Sequence, residues 1–295
     1  MNALVISGGG CKGAFAGGVA QFLMQDLGKK YDMFLGTSTG SLMISHLALN
    51  KIDKIRTIYT SVNQESIFSN CPFSKKTTNG IEEIGINHIN VLKNFLKGSK
   101  TFGESYNLRK LIKEIFTVEE FITLQSSSKE IIVTVSNLSL NQTEYKSIKD
   151  FSYDEFCDWI WISCNFTPFM SLVNKNGCDY ADGGLGVIAP IEEAIRCGAK
   201  TIDAIILDTE VSNINRLPSR NPFSLLTNMF VFMLDRIAFQ NIVIGKNISV
   251  AQGIKLSLYF TPTVLTTNSL VFHKEEMEKW WNDGYNFSKQ KHYST

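Results

Sequence analysis

Short apolar runs alternate along the chain with segments of helical spacing. Leu4-Val5-Ile6 is a continuous apolar run of strand length. Ala14 to Leu27 then carries Phe15, Val19, Phe22, Leu23 and Leu27 at near-helical intervals. Met33-Phe34-Leu35 predicts a second strand, with a helix over Ser41 to Leu49 behind it. A helix around Leu108 to Ile115 precedes a third strand at Ile131 to Val135. Phe156 to Cys164 reads as helix, Cys178 to Ala181 as a short strand, and Ile191 to Cys197 as a helix stopped by Gly198. Ile202 to Leu207 is another buried strand; a helix near Ser224 to Ile244, a strand near Lys255 to Phe260 and a helix over Lys274 to Asn286 follow. Strands alternating with helices predict an α/β fold: three layers, α/β/α, around a largely parallel central sheet.

One stretch breaks the pattern. Asn63 to Ser105 is rich in Asn, Ser, Lys, Thr and Gly and has weak periodicity, which predicts a loop-rich insertion able to cover a cleft. With no internal repeat and no low-complexity linker, residues 1–295 read as a single domain. It would comprise a motif-bearing core (1–207), the insertion (63–105) and a helical C-terminal part (208–295). Within that last part, Phe230, Phe232 and Phe239 read as core in preference to an interfacial face. Trp280 and Trp281 are adjacent on a helix, so one ring is expected to face out.

Charge narrows the partners. Lys plus Arg total 29 against 28 for Asp plus Glu, a net charge of +1. Nucleic acid needs a concentrated basic field and is excluded. A membrane surface is not, because apolar side chains can carry that contact. The start lacks a basic n-region and a long apolar h-region. No run of about 18 apolar residues occurs; Phe223 to Val243 is interrupted by Asn228, Asp235, Arg236, Gln240 and Asn241. The expectation is a cytoplasmic protein, with peripheral contact at the inner face of the membrane allowed. Six scattered cysteines and four scattered histidines suggest reduced thiols and no metal site. Cys11 alone sits in a motif where a nucleophilic thiol is conceivable.

Three motifs carry chemistry. Gly36-Thr37-Ser38-Thr39-Gly40 lies between a predicted strand and a predicted helix, the context of a nucleophile elbow. Small flanking residues permit a tight, strained turn that pushes the serine hydroxyl out at a helix N-terminus. Gly8-Gly9-Gly10-Cys11-Lys12-Gly13, again between strand and helix, lets backbone N–H groups converge on an oxyanion. Asp182-Gly183-Gly184 presents a carboxylate on a sharp turn after a short strand. No histidine has a setting that suits a base: His46 is two helical turns from Ser38, His88 is in the insertion, and His273 and His292 flank the last helix. A Ser38–Asp182 dyad is the economical reading.

On these motifs, in this order, the chain resembles the patatin-like phospholipase family. Ser163-Cys164-Asn165-Phe166-Thr167-Pro168-Phe169 is similar to that family's S-x-A-x-P-x-F segment, with Phe166 in place of a small residue. Pro190, Glu193, Ala194, Gly198 and Ala199 fit the helix and turn that follow, whereas Leu185 to Ala189 lacks the family's frequent Asn. The resemblance implies a lipid acyl hydrolase of the phospholipase A or lysophospholipase kind. It would need no cofactor and would act on a phospholipid or other acyl ester through Ser38, Asp182 and the glycine loop. An acyltransferase with the same residues and a non-catalytic lipid-binding protein remain alternatives. Gly8-x-Gly10-x-x-Gly13 also fits a dinucleotide fingerprint, with Asp32 as the ribose-binding acid. However, Asp32 precedes its strand instead of ending it.

Overall fold

A computed structural model of the chain describes residues 1–78, 81–210, 222–266 and 268–293. The order is β1 (Asn2–Ile6), α1 (Gly13–Gln21), β2 (Met33–Thr37), α2 (Thr39–Ala48), α3 (Ile52–Tyr59), α4 (Gln64–Ile67), β3 (Phe73–Thr78), β4 (Ile81–Ile86) and α5 (His88–Leu96). It continues with α6 (Tyr106–Ile115), α7 (Val118–Ser126), β5 (Glu130–Asn137), β6 (Gln142–Ser147), α8 (Tyr153–Ser163), β7 (Val173–Lys175) and β8 (Cys178–Asp182). The last elements are α9 (Ile191–Arg196), β9 (Thr201–Ile206), α10 (Pro222–Ala251), β10 (Lys255–Phe260) and α11 (Lys274–Tyr293).

The central sheet runs β10-β9-β1-β2-β5-β8-β7, with β6 also paired to β5. The pairs from β10 to β5 are parallel, and β6, β7 and β8 are added antiparallel. Burial on both faces explains why β1 reads as a continuous apolar run. Leu4 and Ile6 join one core, with α1, α2 and α8, while Ala3 and Val5 join another, under α9. The predicted mostly parallel sheet flanked by helices is therefore observed.

Register on β5 brings two distant segments together. Thr37, at the end of β2, pairs with Thr134, and Asp182, at the end of β8, pairs with the next residue, Val135. Because β6 occupies the other edge from Ile132 to Asn137, β2 and β8 must share one edge and meet end to end. Ser38 and Asp182 lie at that junction.

Three expectations need correction. The insertion contains regular structure: α4, the β3–β4 hairpin and α5. Its polar composition hid a sequence signal: Asn79-Gly80 is the dipeptide favoured in two-residue hairpin loops, though these two residues lie outside the described ones. Trp280 and Trp281 are both buried, because α11 lies close against α1, where a side chain on Gly17 would strike the Trp281 ring. Phe232 and Phe239 are exposed and not core, since α10 buries only one stripe; Phe230 packs on Phe166. Phe223's side chain lies outside the described residues.

Candidate active site

The strand β2 is entirely buried, and the chain must reverse within two residues to start α2. Ser38 makes that reversal at φ 53°, ψ −121°, a conformation that typically costs about 1–3 kcal/mol and persists only when its surroundings hold it. They do so atom by atom. The Ser38 amide donates to Ser163 Oγ at 2.9 Å, and Ser163 Oγ in turn donates to the Thr134 carbonyl at 2.6 Å. The Ser38 carbonyl accepts from the Ser41 amide at 2.8 Å and from the Cys164 thiol at 3.1 Å. Ser41 Oγ reaches back to the Gly36 carbonyl at 2.9 Å. A side chain on Gly40 would run into the Ile6 carbonyl, so the elbow closes onto β1 only with glycine there.

Asp182 is 2% exposed, and the Ser38 hydroxyl is close enough to favour its ionised form. Its Oδ1 accepts the Gly184 amide at 2.7 Å, across the Asp182-Gly183-Gly184 turn, and its own amide donates to the Asn165 carbonyl at 2.9 Å. Burial pushes its pKa up to about 7, with the Gly184 hydrogen bond and the nearby Ser38 hydroxyl opposing that rise. A carboxylate so raised accepts a proton near neutrality, which an ordinary aspartate does poorly. Ser38 itself is half-buried and so can be reached from outside.

The glycine loop lies over Ser38: a Cβ on Gly8 would be 3.3 Å from the Ser38 Cβ. Its donors are not equivalent. The Gly8 amide is engaged by Ile188 O at 2.9 Å, Cys11 by Ser269 O at 2.9 Å, and Lys12 by Gly9 O at 3.2 Å. Gly13 donates to Cys11 and Gly10 carbonyls. Among the described residues, the Gly9 and Gly10 amides donate to no protein acceptor, and both residues are half-exposed. Tyr59 holds this loop: its hydroxyl donates to the Gly10 carbonyl at 2.5 Å and also contacts Thr39 Oγ1, tying loop to elbow.

The remaining candidates separate from this centre. Cys11 is fully buried and its thiol is pushed up to about 12, so it is protonated at neutral pH. Lys12 has no ion-pair partner among the described residues. His46 Nε2 meets the Ile115 carbonyl at 3.2 Å, and His292 packs edge-on against Phe22. Asp32 accepts the Asn2 amide at 2.8 Å, at the far end of β1 from the glycine loop, roughly 15 Å away for a strand of that length. That placement removes the dinucleotide reading. No group of three or more His, Cys, Asp or Glu among the described residues is arranged to hold a metal. No helix among them is long and apolar enough to cross a membrane.

Sequence reasoning did not foresee Ser163, Cys164, Asn165 and Tyr59 as supports. The first three were visible as a motif-like segment, but its bonds to Ser38 and Asp182 depend on where α8 ends. Tyr59 had no local signal.

No curated protein matches the chain. Among solved structures it is similar to VipD from Legionella pneumophila, at 14% identity and a TM-score of 0.48, over 98% of this chain and 66% of that one. The chain thus spans slightly less than two-thirds of that protein. The model of the patatin-like phospholipase family matches residues 4–195, a span that runs from β1 through the serine elbow and the Asp182 turn to α9. The match takes in most of the chain and all three motifs; the protein belongs to the patatin-like phospholipase family.

Proposed function

We propose that this protein is a serine lipid acyl hydrolase that releases fatty acid from phospholipid or a related ester through a Ser38–Asp182 dyad. The observation that carries this reading is the buried Asp182 carboxylate, set by the β5 edge against a strained, accessible serine beside two uncommitted amides. Asp182 takes the Ser38 proton as Oγ bonds to the ester carbonyl carbon. The carbonyl oxygen becomes an oxyanion within reach of the Gly9 and Gly10 N–H groups, each such donor typically lowering the barrier by about 3–4 kcal/mol. The bond to the alcohol oxygen breaks, and protonated Asp182 returns the proton to that oxygen. Water, deprotonated by Asp182, then adds to the acyl carbonyl carbon; the bond to Ser38 Oγ breaks, Asp182 returns the proton to Oγ, and the fatty acid leaves. We also read residues 1–295 as one catalytic unit, since β10 from the C-terminal part completes the sheet beside β9.

The test is acyl release from p-nitrophenyl esters and mixed phospholipids by wild type, Ser38→Ala and Asp182→Ala. The expected result is release by wild type that drops by about 10³-fold or more in both variants while they stay folded. Release that survives Ser38→Ala would overturn the reading. A fluorophosphonate that fails to label Ser38 in wild type would overturn it as well.

A further inference from the structure

We propose that the exposed apolar face of α5 docks this protein onto an anionic lipid bilayer, and that a row of phenylalanine rings leads from that face toward Ser38. The second half rests on the acyl-hydrolase reading above; the docking half does not.

On α5, Ile89, Leu92, Phe95 and Leu96 are 68%, 59%, 48% and 80% exposed. Their spacing of three and four residues puts them on one side of the helix. Val91 and Asn94 are buried on the other side and hold the helix to the body. Asn94 Nδ2 donates to the Phe102 carbonyl at 3.1 Å and its Oδ1 accepts from Asn70 Nδ2. The Asn87 side chain caps the helix by accepting the Asn90 amide at 3.1 Å. A helix so anchored exposes its apolar face without being frayed, and contiguous exposed apolar surface of this kind marks an interaction site.

Charge selects the occupant. From Asn87 to Phe102 there is no Asp or Glu, while Lys93, Lys97 and Lys100 are all exposed and enter no ion pair among the described residues. Apolar side chains flanked by unpaired lysines on a short anchored helix match the chemistry of an anionic bilayer surface. A second copy laid face to face would oppose lysines with lysines.

The face also connects inward. Phe95 contacts Phe102 with centroids 6.0 Å apart, Phe102 contacts Phe169 at 5.8 Å, and Phe169 stacks on Phe166 at 6.0 Å. Phe166 meets Phe230 of α10 at 5.4 Å. Phe166 directly follows Asn165, whose carbonyl accepts the Asp182 amide, and Cys164, whose thiol donates to the Ser38 carbonyl. The phenylalanine row therefore begins at the exposed face of α5 and ends beside the backbone that holds the dyad. It offers an acyl chain an apolar path out of the bilayer.

Flotation with vesicles of phosphatidylcholine alone, or with added phosphatidylglycerol, tests the docking, in a Ser38→Ala background so that hydrolysis does not alter the vesicles. The protein should bind the anionic vesicles preferentially. Leu92→Glu with Leu96→Glu should weaken that binding about 100-fold or more, since each leucine buried contributes roughly tenfold or more. Lys93→Glu with Lys97→Glu should weaken it at least about 25-fold, on anionic vesicles only. Leu92→Trp, whose emission should shift to the blue on anionic vesicles, decides the matter if the glutamate pair misfolds. Equal binding by parent and glutamate pair, no binding by the parent, no preference for anionic lipid, or a dimer dissolved by the glutamate pair would each overturn the proposal. Vesicle binding through α5 without ester hydrolysis by wild type would sink the catalytic reading alone, whereas hydrolysis with binding indifferent to α5 would sink the docking alone.

Discussion

The serine elbow and helix α5 show two opposite ways of handling local cost. At the elbow, Ser38 is held at positive φ by partners on its amide and on its carbonyl, all supplied by this chain. The neighbouring strand is fully buried, and Gly40 leaves no gap against β1. On α5 the costly feature is four large apolar side chains that the described residues leave about half or more exposed to water. Strain at the elbow is offset inside the molecule. On the docking proposal, the exposure at α5 is offset from outside, by a lipid surface. The comparison teaches that a catalytic centre must be over-determined by its own fold, whereas an interfacial element is complete only against its surface.

The largest effect that sharpens this contrast is at Asp182. Asp182→Asn should cut turnover about 10³-fold or more, read as the acyl-release rate, because the base is lost. The same change should stabilise the protein at pH 8 by up to about 4 kcal/mol, since burial raises this carboxyl to about 7 and its ionised form is disfavoured in the fold. The sign with pH follows. The folded carboxyl keeps its proton between roughly pH 4 and 7, where the unfolded chain has lost it, so this group's contribution to stability falls as pH rises through that window. Activity should move the other way, rising with pH and levelling off above about 7. Urea titrations and rate profiles across that range check both; parallel movement of activity and stability would contradict the assignment.

A smaller effect is expected at Gly40. Gly40→Ala should cost about 3 kcal/mol in chemical denaturation, because its methyl meets backbone that cannot rotate away. Next comes Tyr59→Phe, which removes the tether on the Gly10 carbonyl. It should lower kcat about tenfold with KM nearly unchanged, because the loop's free amides act on the transition state and not on the ground state. Smallest is Leu96→Ala, within about 0.5 kcal/mol of wild type in stability despite losing three carbons, since that side chain is 80% exposed. A loss of several kcal/mol at Leu96 would mean that α5 is packed by the chain after all.

Much of the sheet was legible because strands buried on both faces have to be apolar throughout. β1, β2, β5 and β9 all fell where apolar runs predicted them. The polar elements escaped: α7 begins with a Thr117–Glu120 capping box that is a readable start signal, and Asn79-Gly80 was a readable hairpin signal in the sequence between β3 and β4. β6 escaped for a different reason. Its residues are exposed or half-buried and it is held by pairing to β5, so its sequence carries no apolar run. Phe232 and Phe239 misled in the opposite direction, because an apolar residue on a helix does not reveal whether anything packs against it.

By itself the sequence determined the chemistry available. A serine between small residues after an apolar strand, a run of glycines after another, and an aspartate before two glycines are local patterns, and turn geometry depends on a few neighbouring residues. The tertiary structure alone decided that these pieces form one centre. β2 and β8 abut on one edge of β5, which sets Ser38 against Asp182, and Ser163 and Cys164 from the end of α8 fix the serine backbone there. It also decided which amides of the glycine loop stay free and that a buried aspartate titrates near neutrality. Those properties depend on register, burial and distance between segments remote in the chain, and none of the three is written in any short stretch of residues.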